Sequence, residues 1–382
     1  MLTIFLFADW YEPGYRAGGP IRSCVNFVNS MQASYRVYVF TRDRDLAATE
    51  SYAGIVPDTW SGPETGTRVY YCSPGSLTWS RIRQLLQEIK PDFIYLNSMF
   101  STKFTIYPLL ISRLTSLETR IVLSPRGMLR ASAINFKPLK KRLFLKFFRW
   151  SGLQKNISFH ASDETEVVDI RRHFGNIPDV IQIPNFPATL STTPPYIEKK
   201  AGSLSIIFIG RIHPIKNLDF LLVSLAAARR KIRLTIVGSI EDAAYWTKCE
   251  DLIGRLPDHL GVHYAGELPN RELPALTAAH HLFVLPTRGE NFGHAIFEAL
   301  ACGRPVLISD QTPWRELYTA KAGWDLPLGD EAAFTGALDT MAGFNQEEYD
   351  AWSGGALRFV KGFVGKMNLT EEYTKLFSQP VP

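Results

Sequence analysis

Two successive series of short apolar strands alternate with helix-like segments along this chain. The first series runs from 3–8 to 180–184, and the second runs from 204–210 to 305–309. Alternation of this kind predicts parallel sheets with helices on both faces. The segment 186–202, FPATLSTTPPYIEKKAG, lies between the series, and its Pro, Thr and Lys content without periodicity is typical of a linker. The sequence therefore predicts two Rossmann-like α/β domains that face each other across a ligand-binding cleft.

We place the domain boundaries where the alternation stops and restarts. The expected first domain is 1–187, the linker 188–203 and the second domain 204–355. Residues 356–382 are expected to form a C-terminal helix, and the sequence leaves open whether it crosses back to the first domain. At 382 residues, 46% of them hydrophobic, the chain can bury two cores of ordinary size.

Composition excludes several classes of protein. The four cysteines show no paired spacing, which argues against a zinc site or a disulfide framework and favours a reducing compartment: Cys24, Cys72, Cys249 and Cys302. The N-terminal MLTIFLFADWY lacks a basic start and reaches Asp9 after a short apolar run, so we interpret it as a buried strand and not as a signal peptide. No run approaches the length that spans a bilayer. We expect a cytoplasmic protein.

The stretch LPTRGENFGHAIFEALACGRPVLISD, residues 285–310, predicts a strand–loop–helix–strand unit. Its predicted parts are a strand at 281–286, a helix at 294–302 with Gly303 as its C-terminal cap, and a strand at 305–309. The loop after the first strand opens at the carboxyl edge of the sheet, where α/β proteins bind ligands. Gly293 allows a close backbone approach at the helix start, and unpaired N–H groups there suit phosphate.

Two glutamates in this stretch indicate a ligand that carries hydroxyl groups as well as phosphate. Carboxylates are the wrong charge for phosphate but accept hydrogen bonds from hydroxyl groups. Glu298 is expected to lie roughly 7 Å deeper along the helix than Gly293, about the width of one sugar ring. With Glu290 in the loop, the pattern predicts a diphosphate flanked by hydroxylated rings. Solvated surface glutamates are the alternative interpretation.

A second candidate anion site follows the strand 204–210. Arg211 and Lys216 flank a loop that ends at Asn217, a residue suited to cap the next helix. Two cations beside a helix N-terminus can bind a diphosphate, although two ordinary surface cations are the alternative. The one D-x-D sequence, Asp43-Arg44-Asp45, suits a turn and helix cap better than a metal site. We therefore predict chemistry without a metal ion or other cofactor.

These motifs resemble those of glycosyltransferase family 4, the group 1 glycosyltransferases. GENFGHAIFEALACGRPVLISD, 289–310, is similar to the family signature of two glutamates eight positions apart. Three further motifs follow the family order: GYRAGGPIRS at 14–23, LSPRGML at 123–129 and FIGRIHPIKNLDFLL at 208–222. The resemblance implies an α/β, GT-B-like fold, a nucleotide-sugar donor and transfer with retention of anomeric configuration.

The resemblance also implies roles for individual residues. Glu298 would hold the ribose hydroxyls, Glu290 the donor sugar, and Arg211 and Lys216 the diphosphate. Backbone N–H groups would assist at Gly18, Gly19, Asn291, Phe292 and Gly293. The implied mechanism is a front-face displacement in which the leaving phosphate helps to deprotonate the acceptor. Accordingly, the expected catalytic residues are Arg211, Lys216 and Glu290.

The sequence departs from the family pattern in the first domain. Many members carry a histidine near the reacting centre, whereas the corresponding loop here offers Arg126. His160 is the nearest strand-end alternative, and a structural role is the competing interpretation. Asp163 and Glu166 are typical of a helix start. We treat Arg126 and His160 as acceptor-side candidates.

Positive charge is concentrated in one segment. The net charge of the chain is +5, yet 119–162 contains no Asp or Glu and ten Lys and Arg residues. Within it, the segment 137–150, KPLKKRLFLKFFRW, predicts a basic amphipathic helix. Its apolar stripe consists of Leu139, Leu143, Phe147 and Trp150. Such a helix suits an anionic membrane surface. Packing of the aromatic residues in the core is the equally weighted alternative.

The sequence thus predicts a retaining, metal-independent glycosyltransferase that acts in polysaccharide or lipopolysaccharide biosynthesis. Its partners would be a nucleotide-sugar donor and a glycan or lipid-linked acceptor, with no nucleic acid. The protein would be cytoplasmic, with peripheral contact to the inner membrane face through 137–150. A nucleotide-sugar epimerase and a non-catalytic nucleotide- or carbohydrate-binding relative are the alternatives.

Overall fold

The computed structural model describes residues 1–63, 66–135, 138–175, 179–188 and 196–378. These form two compact units. The first joins Met1–Phe186 with the C-terminal segment that begins at Asn368, and the second covers Pro187–Met367. Of the predicted linker 188–203, residues 189–195 lie outside the described ranges, and Ser203 already belongs to a strand.

The first unit is built on an eight-stranded sheet in the order β3-β4-β2-β1-β5-β6-β7-β8. All neighbouring strands pair in parallel except β3 and β4. Every residue of the central strands β5, β6 and β7 is buried, as expected where helices cover both faces. The strands are β1 (Thr3–Phe7), β2 (Arg36–Arg42), β3 (Trp60–Ser61), β4 (Arg68–Cys72), β5 (Phe93–Leu96), β6 (Arg120–Leu123), β7 (Ile157–Ala161) and β8 (Val180–Gln182).

Within the described residues, six α-helices connect these strands. They are α1 (Gly19–Met31), α2 (Trp79–Ile89), α3 (Tyr107–Leu114), α4 (Ala131–Ile134), α5 (Pro138–Trp150) and α6 (Glu164–Phe174). A π-helical turn at Thr102–Ile106 leads into α3. Asp163 caps α6 by accepting a hydrogen bond from the Glu166 backbone N–H at 2.8 Å, which confirms its prediction as a helix-start residue.

The second unit contains a six-stranded parallel sheet in the order β11-β10-β9-β12-β13-β14. The strands are β9 (Ser203–Ile209), β10 (Lys231–Val237), β11 (Leu260–Tyr264), β12 (Leu282–Leu285), β13 (Val306–Ser309) and β14 (Gly323–Leu326). Its helices are α7 (Leu218–Ala226), α8 (Ala243–Ile253), α9 (Leu273–Ala278), α10 (His294–Ala301), α11 (Glu331–Gly343) and α12 (Gln346–Gly365). The predicted pair of parallel-sheet α/β domains is confirmed.

The C-terminal region divides between the two units. Helix α12 runs through the predicted boundary between 355 and 356, because Trp352, Ala356 and Val360 are buried in the core of the second unit. The next helix, α13 (Leu369–Leu376), packs on the first unit, where Tyr373 stacks on Phe186 with ring centroids 4.6 Å apart. In the described part of the chain, no helix combines the length and apolar character needed to cross a membrane.

Candidate active site

The candidate site of the second unit lies where the strand order of its sheet reverses. Strand β9 is followed by β10 on one side, while its other neighbour is β12. Both neighbours run parallel to β9, with Ile206 of β9 in register with Leu282 of β12. The loops that leave β9 and β12 therefore emerge side by side at the carboxyl edge, the usual ligand position in open α/β sheets. We call them the β9 loop (210–217) and the β12 loop (286–293).

Hydrogen bonds join these two loops. The Arg288 backbone N–H donates to the Ile215 carbonyl at 2.7 Å, and the Thr287 hydroxyl donates to the same carbonyl at 3.1 Å. The Arg288 guanidinium donates to Asn217 Oδ1 at 3.1 and 3.0 Å. The two loops thus form one connected surface beside the starts of α7 and α10.

The predicted side-chain cap at Asn217 is wrong. Asn217 precedes α7 in a left-handed backbone conformation (φ 60°), and its side chain makes no capping hydrogen bond. Its Oδ1 accepts from the Arg288 guanidinium instead. Sequence reasoning missed Arg288, whose contact with Asn217 spans 71 positions. The one available signal was its place in the loop beside Glu290.

Lys216 and Glu290 meet at the junction of the two loops. The Lys216 ammonium donates a hydrogen bond to Glu290 Oε1 and forms an ion pair with it. The two side chains are only 17% and 16% exposed, so their charges are screened less than those of surface pairs. Glu290 is positioned by its own backbone N–H, which donates to the Gln311 carbonyl at 3.1 Å. The structure therefore brings a predicted phosphate-binding cation and a predicted sugar-binding carboxylate into contact.

Arg211 contacts a different carboxylate. Its guanidinium pairs with Glu241, which lies in the loop after β10. Gly238 brings this loop against the β9 loop: it adopts φ 146°, and a Cβ there would lie 2.0 Å from the Gly210 carbonyl oxygen. Only glycine fits such an approach without a shift of the backbone. Glu241 had no recognisable signal in the sequence, because the contact depends on how the two loops pack.

The predicted strand–loop–helix–strand unit is confirmed as β12–α10–β13, with β12 and β13 parallel. Gly303 follows the last turn of α10 with φ 66°, as its predicted capping role requires. At the other end Gly293 precedes α10 with φ 76°, and a Cβ there would lie 2.9 Å from Ile296 Cδ1. Phe292 is buried, and its carbonyl accepts from Trp314 Nε1 at 2.6 Å.

Glu298 lies within α10 and Asn291 within the β12 loop, and both are half-buried. The five positions from Gly293 to Glu298 correspond to about 7 Å along the helix at ~1.5 Å per residue. Residues Gly18 and Gly19 belong to the other unit, where they begin α1 after β1. Gly18 adopts φ 65°, and its N–H donates to the Tyr15 carbonyl at 2.9 Å.

The two acceptor-side candidates hold the interior of the first unit together. Arg126 donates to the Tyr95 hydroxyl at 2.9 Å and to Asn97 Oδ1 at 3.1 Å, and it also contacts Asn185. His160 has no exposed surface, and its two ring nitrogens contact the Tyr95 hydroxyl and the Ile183 carbonyl, each at 2.8 Å. This geometry matches the structural alternative for His160 and gives no support to an acceptor-side role.

Burial explains the charge state of His160. Desolvation, together with the positive charge of Arg126, lowers the pKa of His160 to about 3. The imidazole is therefore neutral near pH 7, where its nitrogens are held by a hydroxyl and a carbonyl.

The D-x-D carboxylates have structural contacts. Asp45 accepts hydrogen bonds from the backbone N–H groups of Tyr15 at 2.8 Å and Arg16 at 3.1 Å, and Asp43 pairs with Arg44 at 2.9 Å. Within the described ranges, no group of three or more His, Cys, Asp or Glu side chains is arranged to hold a metal ion.

Residues 203–343 match the family model described as glycosyl transferases group 1. Among related proteins, the O-antigen chain mannosyltransferase B of Escherichia coli is 33% identical over 117 residues, which are 29% of this chain and 30% of that protein. The phosphatidyl-myo-inositol mannosyltransferase of Mycobacterium leprae is 28% identical over 168 residues, which are 42% of this chain and 43% of that protein. The matches thus span less than half the length of these relatives.

Solved structures resemble the chain over nearly its whole length. Sucrose-phosphate synthase from Thermosynechococcus elongatus has a TM-score of 0.74 at 16% identity and covers 99% of this chain and 98% of its own. The Anabaena protein Alr3699/HepE in complex with UDP-glucose has a TM-score of 0.69 at 15% identity, with 99% and 100% coverage. Likeness at such identities shows the fold. The fold is therefore a two-domain α/β fold of the GT-B type. The part of the chain that resembles the group 1 glycosyltransferases, residues 203–343, contains Glu290 and Glu298.

Proposed function

We propose that the protein transfers a sugar from a nucleotide-sugar donor to a hydroxyl group of a growing glycan or lipid-linked acceptor, with retention of anomeric configuration. The observation that carries this proposal is the contact between Lys216 and Glu290 at the reversal point of the second sheet. One residue supplies positive charge for a phosphate, and the other supplies acceptor oxygens for sugar hydroxyls. A nucleotide sugar contains both groups on adjacent atoms of its reacting end.

The chemistry explains why both charges are needed. The bond between the anomeric carbon and the donor phosphate oxygen breaks, and a bond to the acceptor oxygen forms. The acceptor proton leaves with the nucleoside diphosphate. Negative charge grows on the phosphate oxygens while the sugar ring becomes cation-like, so fixed cations at Lys216 and Arg211 stabilise mainly the transition state. An ammonium has three N–H groups, so Lys216 can contact Glu290 and a phosphate oxygen together.

The remaining donor contacts follow from the position of α10. In this proposal, Glu290 orients a hydroxyl of the transferred sugar, and Glu298 accepts from the ribose hydroxyls about one ring away. The backbone N–H groups near Asn291, Phe292 and Gly293 lie at the helix N-terminus, where partial positive charge favours phosphate.

The relatives support a sugar-transfer reaction. The HepE structures are complexes with UDP and glucose and with UDP-glucose, which supports a nucleotide-sugar donor. The mannosyltransferases named for O-antigen chains and phosphatidyl-myo-inositol, and the lipopolysaccharide glycosyltransferase WaaG, support a glycan or lipid-linked acceptor. We therefore prefer sugar transfer over the epimerase and over a non-catalytic binding role.

We also propose peripheral contact with the inner membrane face through α5. Its exposed apolar side chains are Leu139, Leu143, Phe147 and Trp150, of which Trp150 is 84% exposed. Leu145 and Phe148 of the same helix are buried in the core. The exposed aromatic residues lie beside exposed cations on one helix, the arrangement that favours an anionic lipid surface. Lys137, the first residue of the predicted helix 137–150, lies outside the described residues.

Product analysis tests the reaction. The protein is incubated with sugar-labelled UDP, GDP and ADP donors and a lipid extract, after thermal stabilisation by each free diphosphate has identified the base. A diphosphate present at about 100 times its Kd raises the free energy of unfolding by about 2.7 kcal/mol, which is measured as a higher melting temperature. Transfer predicts labelled glycan or glycolipid whose anomeric configuration matches the donor. Inverted product refutes retention, a changed donor sugar identifies an epimerase, and binding without turnover identifies a non-catalytic relative.

A further inference from the structure

A surface cavity with several basic residues in its lining lies between α5 and α6 of the first unit. Its volume is about 350 Å³. Three apolar or small residues belong to its lining: Ala131, Ile134 and Leu145. The other lining residues are Asn135 and five basic residues: Arg142, Lys146, Arg149, Arg172 and His173.

The α5 cations of this cavity lie on one face of the helix. Arg142, Lys146 and Arg149 are separated by four and three positions, the spacing that places side chains one above another. Among the described residues, no carboxylate lies within ion-pair distance of these three side chains, whereas Arg130 of the same basic segment pairs with Asp163 at 3.0 Å. Like charges at this spacing repel each other, and a bound anion would offset that repulsion.

Helix α6 completes the cavity from the other side. Arg172 pairs with Asp169 at 3.2 Å, so part of its charge is already balanced. The His173 Nε2 lies 3.3 Å from the Leu129 carbonyl, which fixes the ring at the cavity wall. The net charge of the lining therefore comes from α5, and α6 adds hydrogen-bond donors.

The chemistry of the lining selects the class of ligand. Guanidinium groups present paired N–H donors that match the oxygens of phosphate. Three unbalanced cations suit a group that carries at least two negative charges better than a single carboxylate. The apolar residues in the lining and the exposed stripe of α5, with Leu139 and Leu143 next to Arg142, suit a ligand that also has a non-polar part.

We propose that this cavity is a second anion site, which binds a phosphate monoester or a diphosphate group. The site lies in the first unit and does not depend on the proposed sugar transfer. The group could belong to a phospholipid or lipid-linked phosphate, or to a soluble diphosphate. These ligands share the chemistry that Arg142 and Arg149 recognise, and the experiment separates them.

The test uses the full chain and inorganic pyrophosphate as the first probe. Titration calorimetry is done in an Arg211→Ala/Lys216→Ala background, so that the proposed donor site does not contribute. We expect saturable binding that weakens at least ~10-fold in Arg142→Gln/Arg149→Gln, because this variant loses the charge-assisted hydrogen bonds of two guanidinium groups. The matched control is Lys140→Gln/Arg171→Gln, which removes the same charge from exposed positions of α5 and α6 outside the cavity. This control should change binding less than 2-fold.

Vesicles of phosphatidylcholine with or without phosphatidic acid are the second probe. Loss of phosphatidic acid binding in the cavity variant but not in the control identifies a lipid phosphate, whereas loss confined to pyrophosphate identifies a soluble ligand. The proposal is overturned if neither probe binds saturably, or if the cavity variant and the control lose binding equally. Because the two cations proposed to bind the donor diphosphate are absent from the background, neither result depends on whether sugar transfer is confirmed.

Discussion

Lys216 and Arg211 are expected to act mainly in the transition state of the proposed reaction. Because a charge-assisted hydrogen bond is worth about 1.5–3 kcal/mol, Lys216→Ala or Arg211→Ala should lower kcat/KM at least ~10-fold without unfolding the protein. Arg271→Ala is a suitable control, since this side chain in the same unit is 86% exposed and its nearest carboxylate is 3.9 Å away. Steady-state kinetics and circular dichroism of the three variants check the prediction. Unchanged kinetics in both site variants would reject the assignment.

The two glutamates are expected to divide the donor between them. Glu298→Gln should weaken binding of the free nucleoside diphosphate, because this side chain is assigned to the ribose. Glu290→Gln should mainly slow transfer, because this side chain contacts Lys216 at the reacting end. Both replacements preserve volume and remove charge, so each is the control for the other. Titration of the diphosphate against both variants decides, and equal loss of affinity contradicts the division of roles.

For individual residues, the sequence identified candidate site residues that belong to a contiguous motif. It missed residues whose contacts depend on how the loops pack. Lys216 and Glu290 were predicted independently and lie together in the structure. Glu241 could not be predicted, because nothing local connects it with Arg211, 30 positions away. The side chain of Asn217 was misassigned for the same reason, since Arg288 competes for it from the neighbouring loop.

Among the elements, α5 shows what periodicity can and cannot predict. The spacing of apolar residues predicts a stripe at Leu139, Leu143 and Phe147, and these three residues are exposed on α5 in the structure. Spacing alone did not decide whether that stripe or the positions of Leu145 and Phe148 face the core. Packing decides it: the latter two are buried, whereas the stripe is exposed. Leu145 and Phe148 interrupt the amphipathic pattern of the sequence because they form a second apolar side of the helix, which faces the core.

The exposed stripe gives a prediction for membrane binding. Phe147→Ser/Trp150→Ser should reduce co-sedimentation with anionic vesicles, because each aromatic side chain removes a large apolar area from water on insertion. Leu114→Ser is the control, since Leu114 is an exposed apolar residue of a different helix, α3. Binding of the unchanged protein should fall at high salt and with neutral lipid. Binding that is absent, or indifferent to lipid charge and salt, removes the membrane proposal.

For the whole molecule, the alternation of strands and helices was sufficient to predict two parallel-sheet domains. It could not predict the antiparallel β3, because a strand of two residues has no periodicity. Nor could it assign the C-terminal region, since α12 and α13 are both amphipathic but pack in different units. Which core a helix joins depends on surfaces that meet only after folding, as with Tyr373 against Phe186.

For the whole protein, the source of the positive charge near the donor phosphates can be tested by removing metal ions. Departure of a nucleoside diphosphate requires positive charge near the phosphates, which either a metal ion or fixed side chains can provide. Lys216 and Arg211 offer fixed cations at the β9 loop, while Asp45 of the D-x-D sequence already accepts two backbone N–H groups. We therefore expect transfer to continue at more than about half its rate in excess EDTA, an effect far smaller than the ~10-fold loss expected for Lys216→Ala. If EDTA stops transfer and Mg²⁺ or Mn²⁺ restores it, a metal carries the charge assigned here to these side chains. The variants then separate the two sources, because a metal-dependent enzyme would tolerate Lys216→Ala at saturating Mg²⁺, whereas the proposed mechanism would not.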